Sequence, residues 1–278
     1  MTRNMVTATN TLGQLQQQLD IISNNIANVD TIGYKQSTAT FTSLLTQEFQ
    51  NQRGDDADRQ TPLGIRMGNG AKIAQSQLNG KQGSLQGTDR SLDFGFTAEN
   101  QYFKVLIQGA NGDQEQNFTR AGAFYFTPIN DDEVMLVDGQ GNALLNQNDE
   151  IIVFDGPVDN IRLTNTGTLQ VSANGVQQEV DLGVVNIQRP QLMERVASGY
   201  LSMPNNLEEL GVFPGEVMVQ MEGELRQQIG LEQGTLEQSN VDLTTAYTDL
   251  IEVQRNYQFL SRAISMSDQM AGLVNGMR

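Results

Sequence analysis

A chain of 278 residues with neither cysteine nor histidine cannot build a thiolate zinc centre, a cysteine nucleophile or a histidine-based triad. Its formal net charge of −16 repels phosphate and so disfavours nucleic acid as a partner. No run of about 18 apolar residues is present to span a bilayer.

The N-terminus, "MTRNMVTATNTLGQLQQQ", lacks the apolar stretch of a secretory signal, so no cleaved leader is expected. The protein is then either cytosolic or exported by a route that reads no such signal. Absence of cysteine fits passage through a narrow export path, although many intracellular chains are also poor in cysteine. Met5, Ala8, Leu12, Leu15, Leu19, Ile22, Ile26 and Val29 alternate by three and four residues, which is a heptad a/d series and predicts an amphipathic helix with a coiled-coil seam. Within "SNNIANVDTIGYK", Asn24, Asn25 and Asn28 flank that seam. Amides at such positions can hydrogen-bond to neighbouring backbone and set register where charges would not fit, or they are simply an ordinary polar face near a helix end. Gly33 is placed to supply the left-handed residue that ends the helix.

Downstream, "QNQRGDDADRQTPLGIRMGNG" is polar and glycine-rich and reads as a linker or extended arm. The middle of the chain reads as β structure. "QYFKVLIQG" and "AGAFYFTP" predict two aromatic-rich strands, and "MLVDGQGNALL" predicts a hairpin turning at Gly139 and Gly141. "IRLTNTGTLQVSANGVQQEV" adds turns at Asn165-Thr166-Gly167 and Asn174-Gly175. Short strands punctuated by glycine turns predict an irregular sandwich or barrel.

Near the other end, Leu236, Leu243, Ala246, Leu250, Val253, Tyr257, Leu260, Ile264, Ala271 and Val274 fall on a second a/d grid, with Ser239 and Ser267 in its polar gaps. Phe259, Ala263, Met266, Met270, Leu273 and Met277 form another apolar stripe on the same helix. One stripe serves one partner, so two imply neighbours on two sides; the alternative is a single intramolecular hairpin with a generous seam. Arg3 and Lys35 balance Asp20 and Asp30 at the N-terminal end, and the C-terminal helix is nearly balanced too. The acidity therefore lies between the ends, where it favours water, while the ends can pack at little Coulomb cost.

These patterns predict an α+β fold: N- and C-terminal coiled-coil-type helices packing together, with a central mainly-β domain. The expected divisions are a helical segment over 1–40, the arm over 41–80, the β-rich domain over 81–232 and a second helical segment over 233–278. Apolar stripes left bare in a lone chain predict ends that are partly or wholly disordered until they dock; amide exchange on the soluble monomer checks this.

Chemistry-bearing motifs are sparse. "DGQGN" contains Gly-x-Gly but sits in a hairpin with no following helix, so it is not a dinucleotide site. The carboxylate groups Asp55-Asp56-Asp58 and Asp131-Asp132-Glu133 lack the spacing of a calcium loop and read as solvated turns. No cofactor, metal or catalytic residue is expected.

"SNNIANVDTIGYK" closely resembles the signature of the bacterial flagellar rod and hook protein family: Ala/Ser-Asn-Asn-Leu/Ile-Ala-Asn, two variable residues, Thr, any residue, Gly, Phe/Tyr, Lys/Arg. Every fixed position from Ser23 to Lys35 finds its match. "LEQSNVDLTTAYTDLIEVQRNYQFLSRAISMSDQM", with Ser239 to Leu243 before the helix and Gln254-Arg255-Asn256-Tyr257 within it, resembles the family's closing segment. "SLDFGFTAENQYFKV" and "NFTRAGAF" resemble its strand motifs. The family usually carries Gly-x-Gly before the paired aromatics where Asn100-Gln101 stands here, which puts the local turn in question.

The resemblance implies a structural subunit of the flagellar rod, not an enzyme. It would be exported through the flagellum's own type III apparatus and would stack helically with copies of itself and with other rod and hook proteins into a hollow drive shaft. A hook or hook-filament junction component is the alternative, and a glycan-cleaving enzyme a remote one. The residues expected at the assembly interface are Leu12, Leu15, Leu19, Ile22, Asn24, Asn25, Ile26, Asn28, Val29, Gly33, Leu243, Leu250, Val253, Arg255, Tyr257, Leu260, Ile264 and Met270.

Overall fold

The structure, a computed structural model, describes residues 2–43, 46–49, 65–68, 71–108, 114–156, 158–164, 166–173, 175–196, 199–204, 207 and 211–277. It is α+β. Helix α1 spans Thr2–Ala27, α2 is a single turn at Pro214–Val217, and α3 spans Leu243–Gly276. The chain forms two compact units, one comprising Met1–Ile26, Ser37–Gln77 and Asp242–Arg278, the other Ala27–Gln36 and Leu78–Val241.

Among the described residues the first unit holds the long helices and four strands. Strand β1 (Ser37–Ser43) pairs with β4 (Ala71–Leu78), and β2 (Thr46–Phe49) pairs antiparallel with β3 (Ile65–Gly68). The arm expected from composition therefore carries strands, and its acidic stretch Asp55-Asp56-Asp58 lies outside the described residues. Helix α1 stops at Ala27, so Val29 falls in the turn beyond it and Gly33 does not close it. Helix α3 starts at Leu243; Leu236, which heptad spacing places on its grid, lies in a strand instead.

Asp242 caps α3: its carboxylate accepts from the backbone N–H of Thr244 and Thr245 and from the Thr245 hydroxyl. These bonds hold its pKa below 3.8 because they favour the ionised form. A folded pKa below the unfolded one stabilises only while the group is charged, so the cap is complete above pH 3.8 and is lost as pH falls through the lowered value. Asp242→Ala is expected to lower the melting temperature at neutral pH, and the gap to the parent should close on acidification, as followed by circular dichroism.

The second unit is β-rich. Its strands are β5 (Leu85–Gly87), β6 (Phe94–Phe96), β7 (Gln101–Gln108), β8 (Gln114–Thr119), β9 (Phe124–Pro128), β10 (Glu133–Asp138), β11 (Ala143–Leu144), β12 (Val153–Asp155), β13 (Val158–Leu163), β14 (Thr168–Ala173), β15 (Val176–Asp181), β16 (Val184–Ile187), β17 (Glu194–Arg195), β18 (Leu201–Ser202), β19 (Met218–Gln220), β20 (Leu231–Gln233) and β21 (Thr235–Glu237). The principal sheet runs β12-β10-β11-β7-β8-β18-β17, with β9 on β10 and with β16 joining β7 to β19. The expected hairpin forms with Val137 opposite Ala143, and β13-β14-β15 is an antiparallel meander turning at Gly167 and Gly175.

The core of this unit is aromatic. Phe96 and Phe103 have ring centroids 4.3 Å apart, and Phe103 meets Phe124 edge-on at 5.0 Å. Burying side chains of this size contributes about 1.5–3 kcal/mol each. Asn100 settles the turn question: it takes φ 60°, the left-handed conformation, which asparagine tolerates better than other non-glycine residues. The adjacent Gln101 is buried and its amide bridges the Gln228 carbonyl and the Gly230 N–H at 2.9 and 3.0 Å.

Candidate functional site

Within the first unit, Asn25 is buried and makes a reciprocal pair with Ser37. Its amide nitrogen donates to the Ser37 carbonyl at 2.8 Å, and its oxygen accepts from the Ser37 N–H at 2.9 Å. This clasp closes the loop that carries the rest of the motif. A carboxylate there could accept but not donate, so a neutral amide is what the site requires. Asn28 accepts from the Thr31 hydroxyl at 3.2 Å and its carbonyl from the Thr31 N–H, shaping the turn after α1. Asn24 is exposed.

In the second unit, Gly33 has φ 69° and its N–H donates to the Glu237 carbonyl at 2.8 Å. A methyl group at this position would meet the Arg120 carbonyl carbon at 2.5 Å and the Ala121 nitrogen at 2.6 Å. The glycine is demanded by close backbone approach and not by helix capping. Gly33→Ala is expected to cost about 1–2 kcal/mol from the left-handed backbone alone and more from displacing the Arg120–Ala121 backbone, read as a lower denaturation midpoint.

Two residues on, Lys35 is buried against Glu237. Its ammonium donates to Glu237 Oε1 at 2.6 Å and to the Lys81 carbonyl at 2.7 Å. The Gly83 N–H also donates to Oε1, at 2.7 Å, and Arg120 Nε donates to Oε2. The remaining guanidinium nitrogens reach the carbonyls of Gln101 and Ala98 at 2.9 and 2.8 Å. Side-chain exposure is 4 % for Lys35 and 1 % for both Glu237 and Arg120. One carboxylate thus holds two buried cations, and three separate chain segments meet on it. Burial pulls the Lys35 pKa below its ordinary 10.5, with the Arg120 guanidinium acting the same way and Glu237 opposing.

Further bonds seal the junction. Asn240 accepts from the Gln36 N–H at 2.7 Å and donates to the carbonyls of Asn79 and Lys81, both at 2.9 Å. Arg195 lies over the Tyr34 ring at 4.8 Å and donates to its hydroxyl and to the Lys35 carbonyl. Among the expected site residues only Gly33 joins this network. Lys35, Arg120, Arg195, Glu237 and Asn240 were not singled out individually, although all but Arg195 fall within the motifs quoted above. Lys35 and Glu237 are 202 positions apart, and no local spacing links them.

Along the helices, the a/d grid is the more covered face except at the two ends of α3. On α1, Leu12, Leu15, Leu19 and Ile26 are half-buried and Ile22 is buried; Val29, in the turn, is half-buried. On α3, Ala246 and Val253 are buried and Leu250, Tyr257, Leu260, Ile264 and Ala271 half-buried, while Leu243, Arg255 and Val274 are exposed. The second stripe of α3 stands in solvent at Phe259, Met266, Met270, Leu273 and Met277, with Ala263 half-buried. Among the described residues no helix is long and apolar enough to cross a membrane, and no group of acidic residues could hold a metal ion.

Comparisons with known proteins place the chain among its relatives. The family described as "Flagella basal body rod protein" matches residues 5–35, and "Flagellar basal body rod FlgEFG protein C-terminal" matches residues 232–277. The chain is similar to the flagellar hook-basal body complex protein FlhP of Bacillus subtilis, at 39% identity over 100% of both chains. It is also similar to the flagellar basal-body rod protein FlgG of Borreliella burgdorferi, at 30% identity over 100% of this chain and 99% of the relative. FlgG of Bacillus subtilis is 28% identical over 97% of each chain. With covered seams on both terminal helices, an ion-locked junction between the matched ends, and relatives aligned end to end, this chain belongs to the flagellar basal-body rod protein family.

Proposed function

We propose that this protein is a structural subunit of the flagellar rod, located in the basal body, with a role carried by shape and contact and not by catalysis. The observation that carries this reading is the bare second stripe of α3: along the middle of the helix the a/d grid from Ala246 to Ile264 is buried or half-buried, and Phe259, Met266, Met270 and Leu273 are exposed. The seams of α1 and α3 pack together as coiled-coil-type helices that form the axial contacts, and the acidic β-rich unit is an irregular sandwich. Copies dock on the bare stripe in a staggered, non-closing contact, which propagates as a helical shaft and not as a closed dimer. Repetition along the shaft turns modest contacts into the stiffness needed to carry torque to the hook.

Export runs through the flagellar type III apparatus, in keeping with a chain that has no cysteine to cross-link on the way. Other rod and hook proteins abut the ends of the stack. A hook or hook-junction position is the second reading, favoured by the relative named for the hook-basal body complex; site-directed cross-linking in cells, identifying the neighbour of each end, separates the two.

Replacing exposed apolar residues with polar ones tests the docking reading without disturbing the fold. Phe259→Ser with Leu273→Ser is expected to leave the melting temperature unchanged while abolishing both concentration-dependent sedimentation and the rescue of motility in a null strain. Normal assembly by this variant would exclude the stripe as the contact.

A further inference from the structure

Three positions of the bare stripe are methionine. Met266, Met270 and Met277 are 60, 51 and 87 % exposed, and the spacing of four and seven residues places them on one face of α3. Met193 and Met221, in the β-rich unit, are 8 and 3 % exposed. Thioether reactivity toward oxidants follows access to the sulfur, so one chain carries both an accessible set and a shielded internal reference. Methionine suits an adaptable apolar contact because its unbranched side chain reshapes to its partner. The same sulfur is the one atom in such a stripe that can be converted to a polar group without cutting the chain.

We propose that the methionine face of α3 is an oxidation-sensitive assembly switch, open to modification in the undocked chain and shielded once a second copy covers it. This rests on the docking reading above. The oxidant class is a hydroperoxide. A sulfur lone pair attacks the terminal peroxide oxygen, the S–O bond forms as the O–O bond breaks, and the departing oxygen takes the proton shed by the new sulfur-bound hydroxyl, leaving as an alcohol, or as water from hydrogen peroxide. The sulfur loses two electrons and the peroxide gains them. Each sulfoxide then presents a strong acceptor where the thioether made an apolar contact, and burying it without a donor opposes docking. Reduction of the sulfoxide by a thiol-dependent methionine sulfoxide reductase returns the thioether, so the block is reversible.

The test uses the full chain and hydrogen peroxide. Peptide mass spectrometry is expected to show Met266, Met270 and Met277 gaining oxygen several-fold faster than Met193 and Met221. Sedimentation at rising concentration should show association lost in the oxidised chain and restored by the reductase. Met266→Leu, Met270→Leu and Met277→Leu together should keep association after peroxide, and reductase reversal decides the switch independently of this variant. Equal oxidation rates at exposed and buried methionines overturn the site. Selective oxidation with unchanged association overturns the switch. A parent chain that stays monomeric at every loading overturns the docking reading and the switch with it, while the peptide rates still decide whether the site exists.

Discussion

Glu237→Ala is expected to destabilise the β-rich unit by about 3–5 kcal/mol, the cost of breaking a buried ion pair from one side. The carboxylate accepts from Lys35, Arg120 and the Gly83 N–H. Removing it leaves two cations facing each other with no anion between them. Lys35 can shed its proton, and its lowered pKa shows which way it would go. Arg120 cannot deprotonate, so the structure must open to hydrate it. Urea denaturation should show the loss as a lower midpoint, and Glu237→Asp, which keeps the charge but shortens the reach, should fall between the alanine variant and the parent. A midpoint unchanged in Glu237→Ala would show that the buried pair contributes nothing to holding the ends of the chain. Because Lys35 and Glu237 lie in the two segments that match the rod-protein family, the same variant should also fail to support motility.

Leu19→Asp and Leu250→Asp are each expected to abolish assembly while leaving the β-rich unit folded. Both leucines sit on the covered faces of their helices, so a carboxylate there is drawn into an apolar contact at a cost of several kcal/mol. The residues of the ion junction and the aromatic core belong to the other compact unit. Near-ultraviolet circular dichroism should therefore retain the tertiary signal of the β-rich unit while far-ultraviolet helicity falls and sedimentation stays monomeric. Parallel loss of both signals would show that the two units fold as one. Restored swimming by either variant would remove the helical seams from the assembly.

The periodic parts of this chain were legible because their causes are local. The three-four spacing of Leu12, Leu15 and Leu19 marks the covered face of a helix, whatever lies opposite, and Gly139-Gln140-Gly141 marks a turn because its backbone demands are met within a few residues. The same reasoning slipped where a pattern continued past its element. Leu236 keeps heptad register but is paired in β21 with Gln86, since sheet bonds there outweigh the spacing. Gly33 was read for its left-handed conformation, which it has, but its reason is the backbone of Arg120 and Ala121 close against it. The asparagines of the opening motif divide in the same way: Asn25 is a clasp to Ser37, a role that no helical propensity scale contains.

Read alone, the sequence determined the α+β class, the order of helices and strands, the apolar stripes and the family, because each is written in neighbours a few positions apart or in a motif of contiguous residues. Only the tertiary structure decided that Lys35, Arg120 and Glu237 share one buried charge site, that the junction is locked by Asn240 and Arg195, and which stripe of α3 is covered. Those facts depend on the meeting of segments more than a hundred residues apart, and a side chain's burial is set by what the fold brings against it.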